Sequence, residues 1–172
     1  MRESTQEAPR EKFVPLGLDA PDRTVGLTGL CPLAVLALPP ARLRREPGIL
    51  RVWMDLPQGC ELAPGSPLTY RVRGGEAGLE FERDGEIVTL RDVHLPLDLP
   101  YAPRRGPAAP PAAEMSLDLS FWYRMQGDAG AGTPQDVQWR VPIVWDKRGK
   151  NVIELGYALR PGSNPQRAST GV

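Results

Sequence analysis

Ser116-Leu117-Asp118-Leu119-Ser120-Phe121-Trp122-Tyr123-Arg124 and Asp136-Val137-Gln138-Trp139-Arg140-Val141-Pro142-Ile143-Val144-Trp145 alternate apolar and polar side chains with a period of two. Successive residues of a strand turn to opposite faces of a sheet at that period. In the first run Leu117, Leu119, Phe121 and Tyr123 share a face, and Ser116, Asp118, Ser120 and Arg124 take the other together with Trp122. In the second, Val137, Trp139, Val141, Ile143 and Trp145 lie opposite Gln138, Arg140, Pro142 and Val144. Joined by the soft connector Met125 to Gln135, the two runs are expected to form a hairpin that covers a core.

Working outward, Ala34 to Leu38 reads as a short buried strand stopped by Pro39-Pro40. Ile49 to Leu56 is a stronger one, with Leu50, Val52, Met54 and Leu56 on one face. Leu68, Tyr70 and Val72 alternate with Thr69, Arg71 and Arg73 up to Gly74-Gly75, where the chain has the freedom to reverse. Leu79 to Leu90 flanks Asp84-Gly85, a dipeptide favoured in two-residue turns, so a tight hairpin is expected there. Val93, Leu95, Leu97 and Leu99 alternate with His94, Pro96 and Asp98. Proline has no amide hydrogen to donate, so Pro96 and Pro142 place their strands at sheet edges or bulges. Pro100 to Pro111, with Arg104-Arg105-Gly106 at its centre, reads as an extended connector, and Val152 to Leu159 as a last strand.

Roughly seven to nine short strands, Pro/Gly turns and one long connector make an all-β chain, most economically an immunoglobulin-like antiparallel β-sandwich, with a closed β-barrel as the alternative. The expected layout is an extended arm over residues 1–23, a sandwich domain over 24–160 with the connector at 100–111, and a polar tail over 161–172. In the arm, Phe13, Val14, Leu16 and Leu18 are apolar enough to strap a partner or the body of the protein.

The chain has 172 residues, with Lys plus Arg and Asp plus Glu balanced at 21 each. That balance removes the basic footprint expected of a nucleic-acid binder. With 20 prolines and 18 glycines, little of the chain suits long helices. Val25 to Leu38 is too short to span a bilayer, which takes about 20 apolar residues, and it follows an acidic leader, so neither membrane insertion nor export by a signal peptide is expected. The chain as written is read as cytoplasmic; a processed or partial chain would suit the periplasm or the extracellular space equally.

Little in the sequence announces chemistry. His94 is the single histidine; Asp92 shares its face if the segment is a strand, but a surface pair accounts for both. No GxSxG motif is present. Glu80, Glu82, Asp84 and Glu86 read as a solvated face, and Gly127 to Gly132 as a flexible loop that leads into no helix. Arg42/Arg44/Arg45, Arg104/Arg105 and Lys147/Arg148/Lys150 are scattered loop charges. Trp53 and Trp122 fall opposite the main apolar faces of their strands, where they either cover the outer face, meet the connector or serve as candidate contact anchors. Cys31 and Cys60 lack the close spacing of a zinc site. No catalytic residue, metal or cofactor is expected.

From Ile49 onward, Val52-Trp53-Met54-Asp55-Leu56-Pro57-Gln58-Gly59-Cys60-Glu61-Leu62, Gly65-Ser66-Pro67-Leu68-Thr69-Tyr70-Arg71-Val72, Leu117 to Tyr123 and Trp139-Arg140-Val141-Pro142-Ile143 resemble the C-terminal β-domain of NHL-propeller proteins that carry a thioredoxin-like domain. They resemble more distantly the N-terminal β-domain of the DsbD thiol-disulfide transducer. Such domains often carry a cysteine pair in the hairpin that here runs from Arg124 through Gly132, and this chain has none there. The resemblance therefore implies the scaffold without its thiol relay, which needs a nucleophilic thiolate and a resolving partner.

The function expected is that of a non-catalytic β-sandwich: a protein-interaction module or accessory subunit of a larger assembly, working with a protein partner or as a homo-oligomer. Candidate contacts are Trp53, Trp122, Phe13, Arg104 and Arg105. The alternatives are a redox-linked module using Cys31 and Cys60, or a carbohydrate- or ligand-binding sandwich built on a tryptophan.

Overall fold

A computed structural model describes residues 26–106 and 113–159. Among these residues the strands in chain order are β1 (Leu33–Ala37), β2 (Ala41–Leu43), β3 (Gly48–Asp55), β4 (Cys60–Leu62), β5 (Leu68–Arg73), β6 (Leu79–Phe81), β7 (Val88–Leu90), β8 (Leu97–Pro103), β9 (Glu114–Met125), β10 (Thr133–Trp145) and β11 (Val152–Ala158). A short 3₁₀ turn lies at Gly75–Ala77. The arm with Phe13, the tail, and part of the Pro-rich connector lie outside the described residues.

The fold is all-β, in two stacked sheets that do not close into a barrel. The larger has the order β1-β10-β9-β5-β7, with β2 also on β10 and β4 also on β9; the smaller is β11-β3-β8-β6. The expected central ribbon is present, with β9 and β10 antiparallel from Thr133 opposite Tyr123 to Pro142 opposite Glu114. Its connector is shorter than expected, because Thr133, Pro134 and Gln135 still pair with Tyr123, Trp122 and Phe121.

The sheets are mixed and not purely antiparallel. β1 and β2 both run parallel to β10, and β11 runs parallel to β3. Period-two alternation reports which face a residue occupies but carries no information on strand direction, which is why pattern alone left this open.

The Leu79 to Leu90 hairpin does not form. β6 pairs with β8 in the small sheet, and β7 pairs with β5 in the large one, so residues 82–87 cross between layers. Asp84-Gly85 does turn the chain, with Gly85 at φ 79°. The turn docks onto β5: the Gly85 amide donates to the Val72 carbonyl at 2.7 Å, and the Asp84 carboxylate accepts the Gly74 amide at 2.9 Å. Those bonds hold the turn against the large sheet and bury Phe81 and Val88 in different layers.

Proline placement differs as well. Pro96 lies just before β8, which begins at Leu97 and sits inside the small sheet between β3 and β6. Pro100 and Pro103 belong to β8, so the connector starts later than Pro100. Pro142 falls in the gap where the pairing of β1 with β10 has ended at Arg140 and that of β2 begins at Ile143. Its missing amide hydrogen therefore breaks no ladder on that side.

The core lies between the layers. The large sheet contributes Leu117, Leu119 and Phe121 from β9 and Val137, Trp139 and Val141 from β10; the small sheet answers with Leu50, Val52, Leu79 and Leu155, all essentially inaccessible. Trp139 ties the layers together, its indole Nε1 donating to the Gly156 carbonyl of β11 at 3.1 Å. At roughly 1.5–3 kcal/mol for each large apolar side chain buried, this interior is the main stabilising term.

Candidate functional site

The crossing at residues 82–87 opens a gap at one side of the sandwich. Among the described residues β7 is the last strand of the large sheet, paired only with β5. In the small sheet β8 meets β3 from Leu97 to Tyr101, but it meets β6 only from Tyr101 to Pro103. Among the described residues, therefore, Leu97 to Pro100 has a strand on one side alone. Between these two half-paired edges lies a cleft of about 510 Å³. Tyr70, Val72, Phe81, Val88 and Leu99 form its apolar floor, and Glu82, Arg83, Thr89 and Asp98 its rim. A ligand or peptide site has this character: mostly apolar, with a few placed polar groups and free backbone along its sides.

Burial pushes the Tyr70 hydroxyl up, with Arg83 opposing and Glu82 adding to the shift. Asp98 is held below the usual carboxylate range by its bidentate hydrogen bonds from Arg51, at 2.7 and 2.8 Å. The same pair raises the Arg51 guanidinium.

The residues singled out from sequence are not brought together. Trp53 stands on the outer face of the small sheet, 45% exposed. Trp122 is on the outer face of the large sheet but half-buried beneath residues 63–67, beside Asp92 and Val93 in a hollow of about 180 Å³. Arg104 and Arg105 are exposed beyond the end of β8. Phe13 is outside the described residues. His94 and Asp92 are exposed, and they sit on an irregular stretch before β8, so the expected shared strand face does not exist. Glu80, Glu82, Asp84 and Glu86 are exposed as expected.

Cys31 and Cys60 are both free and half-buried. Cys60 sits on β4 opposite Met125 and donates to its Sδ at 3.5 Å. Cys31 precedes β1, with β10 and β9 between it and β4. Burial, with the charge of Asp136 adding to it, pushes the Cys31 thiol up and weakens it as a nucleophile.

Sequence reading missed a polar network on the outer face of the large sheet. Asp118 accepts from Arg71 at 2.9 Å, Arg73 at 3.3 Å and Gln138 at 2.6 Å, and it is itself only 4% exposed. Farther along, Asp136 is completely enclosed, accepting from Ser120 and from Thr28. Although a hydroxyl and a carboxylate meet there, the segment leading into β1 seals them from any substrate. Among the described residues no cluster of three or more His, Cys, Asp or Glu is arranged to hold a metal, and no helix is long and apolar enough to cross a membrane.

Comparison of the chain with protein-family models gives no match, and a search of curated proteins gives none either.

Proposed function

We propose that this protein is a non-catalytic β-sandwich that binds another protein, as an interaction module or accessory subunit, by taking an extended apolar segment of its partner into the cleft between β7 and β8. The observation that carries the reading is the pairing pattern: two half-paired strand edges flank one apolar floor. A segment laid there gains main-chain hydrogen bonds from an edge and places alternate side chains on Tyr70, Val72 and Leu99. The scaffold resemblance supports it too, since such β-domains occur fused to larger enzymes.

The test is affinity capture with tagged protein, followed by light scattering of the reconstituted pair. Leu97→Asp puts a charge in the cleft wall, and Thr89→Lys crowds the β7 edge; each is expected to lose the partner while Trp122→Ala keeps it. Far-ultraviolet circular dichroism checks that the variants are folded. A captured partner indifferent to both cleft substitutions would refute the cleft, and a protein that stays monomeric and captures nothing would refute the interaction role.

A further inference from the structure

The outer face of the small sheet carries a second, unrelated feature. Arg51, Trp53 and Asp55 alternate outward along β3, and the parallel register sets Glu154 beside Arg51, Gly156 beside Trp53 and Ala158 beside Asp55. On the other flank Asp98 is opposite Arg51, and the pairing with β8 stops at Val52 opposite Leu97. Among the described residues Trp53 thus has a glycine on one side and no paired strand on the other. A Cβ added at Gly156 would meet nothing within 4 Å, so the space over Gly156, beside Trp53, is open.

One pleat away, about 7 Å along the strand, Glu154, Arg51 and Asp98 form a row of flat polar side chains. Asp98 takes two of the guanidinium's donors. The remaining Arg51 N–H groups, and the carboxylate lone pairs of Asp98 and Glu154, are left to outside partners. An aromatic plate beside such a row matches a sugar ring: apolar C–H groups on one face and hydroxyls, each both donor and acceptor, around the edge.

We infer that this face binds a pyranose unit of a neutral glycan, stacked on Trp53 with its hydroxyls shared among Arg51, Asp98 and Glu154. Charge narrows the ligand class. Among the described residues, the outward positions around Trp53 carry Asp55, Asp98 and Glu154 against Arg51, a balance that disfavours uronate or sulfated chains. The site shares Asp98 with the rim of the inter-sheet cleft but does not rest on the protein-binding reading.

Calorimetric titration of the intact protein with cellohexaose, laminarihexaose, mannohexaose and chitohexaose tests it, with polygalacturonate as the anionic control. Saturable binding of at least one neutral hexasaccharide is expected, with none of polygalacturonate. Trp53→Ala and Arg51→Ala each weaken it at least about tenfold, the loss typical of a contact anchor. Gly156→Val puts a branched side chain into the open space beside Trp53. It abolishes binding while the melting temperature holds or rises, because valine suits a strand better than glycine, which separates blocking from unfolding. Thr89→Lys, on β7 of the other sheet, leaves sugar binding intact, so the two readings fail independently. Absence of saturable binding by all four neutral sugars, binding that survives Trp53→Ala, or a Trp53 that serves self-association or a proline-rich peptide instead would overturn the inference.

Discussion

Tyr70, Tyr101, Tyr123 and Tyr157 are all the tyrosines of the chain, and burial raises the hydroxyl pKa of each, the Cys60 and Cys31 thiols adding at Tyr123. Tyr101 is the extreme case, 3% exposed with no hydrogen-bond partner for its oxygen. A raised phenol favours the protonated folded form. Its stabilising contribution is therefore complete below the unfolded value of about 10 and is lost as pH climbs through the folded values. Ultraviolet titration should show no phenolate step in the ordinary range, then a cooperative rise coincident with loss of near-ultraviolet circular dichroism. Four independent ionisations in an intact fold would contradict this. Asp118→Ala should cost about 2 kcal/mol in urea denaturation, since it leaves Arg71 and Gln138 without their shared acceptor. Thiol labelling should find two free thiols, with Cys31 the slower at mildly alkaline pH because its thiolate is disfavoured. At this scale the sequence was legible for faces: Asp118 and Ser120 do point away from the core. That they are nonetheless buried was not legible, because the covering side chains come from β5, β10 and the segment before β1, whose adjacency no local pattern encodes.

Among the elements, the long ribbons were readable and the short ones were not. β9 and β10 carry enough alternation to declare themselves, whereas β2 and β4 span three residues each, too few for a period to register. The supposed hairpin at Asp84-Gly85 shows why a turn signal is weaker than it looks. A turn dipeptide fixes a reversal of direction but not the sheet the chain enters next. The cleft exists because that prediction fails: a closed hairpin would have joined β6 to β7 and left no gap. The loop between β9 and β10 gives a direct check. Gly132 has φ 87°, and a Cβ there would press on the Tyr123 carbonyl at 2.9 Å. Gly132→Ala should destabilise by about 1–3 kcal/mol in thermal or urea melts; an unchanged midpoint would show that the loop can relax.

For the molecule as a whole, composition and periodicity were sufficient for the all-β class and two stacked layers, because those follow from which residues avoid water. Sheet order, the parallel pairings and the cleft were beyond reach, since each depends on contacts between distant segments. Of the candidate contacts, Trp53 is exposed on the outer face as expected, while Trp122 is half-buried and lines a hollow with residues 62–68. Hydrogen exchange should rank the parts by how they are held: β9 and β10 slowest, flanked on both sides along much of their length, and β7 among the fastest, with a partner on one side only. Uniform protection across β7 in the isolated protein would mean that its outer edge is already occupied.

The union of Ile49 with Val152 also has a temporal meaning. On the ribosome β3 is made about a hundred residues before β11, so a nascent chain holds Leu50 and Val52 in a layer whose outermost strand does not yet exist. Completion of that layer must wait for β11, and chains released before Val152 should be the ones that proteases and chaperones find first.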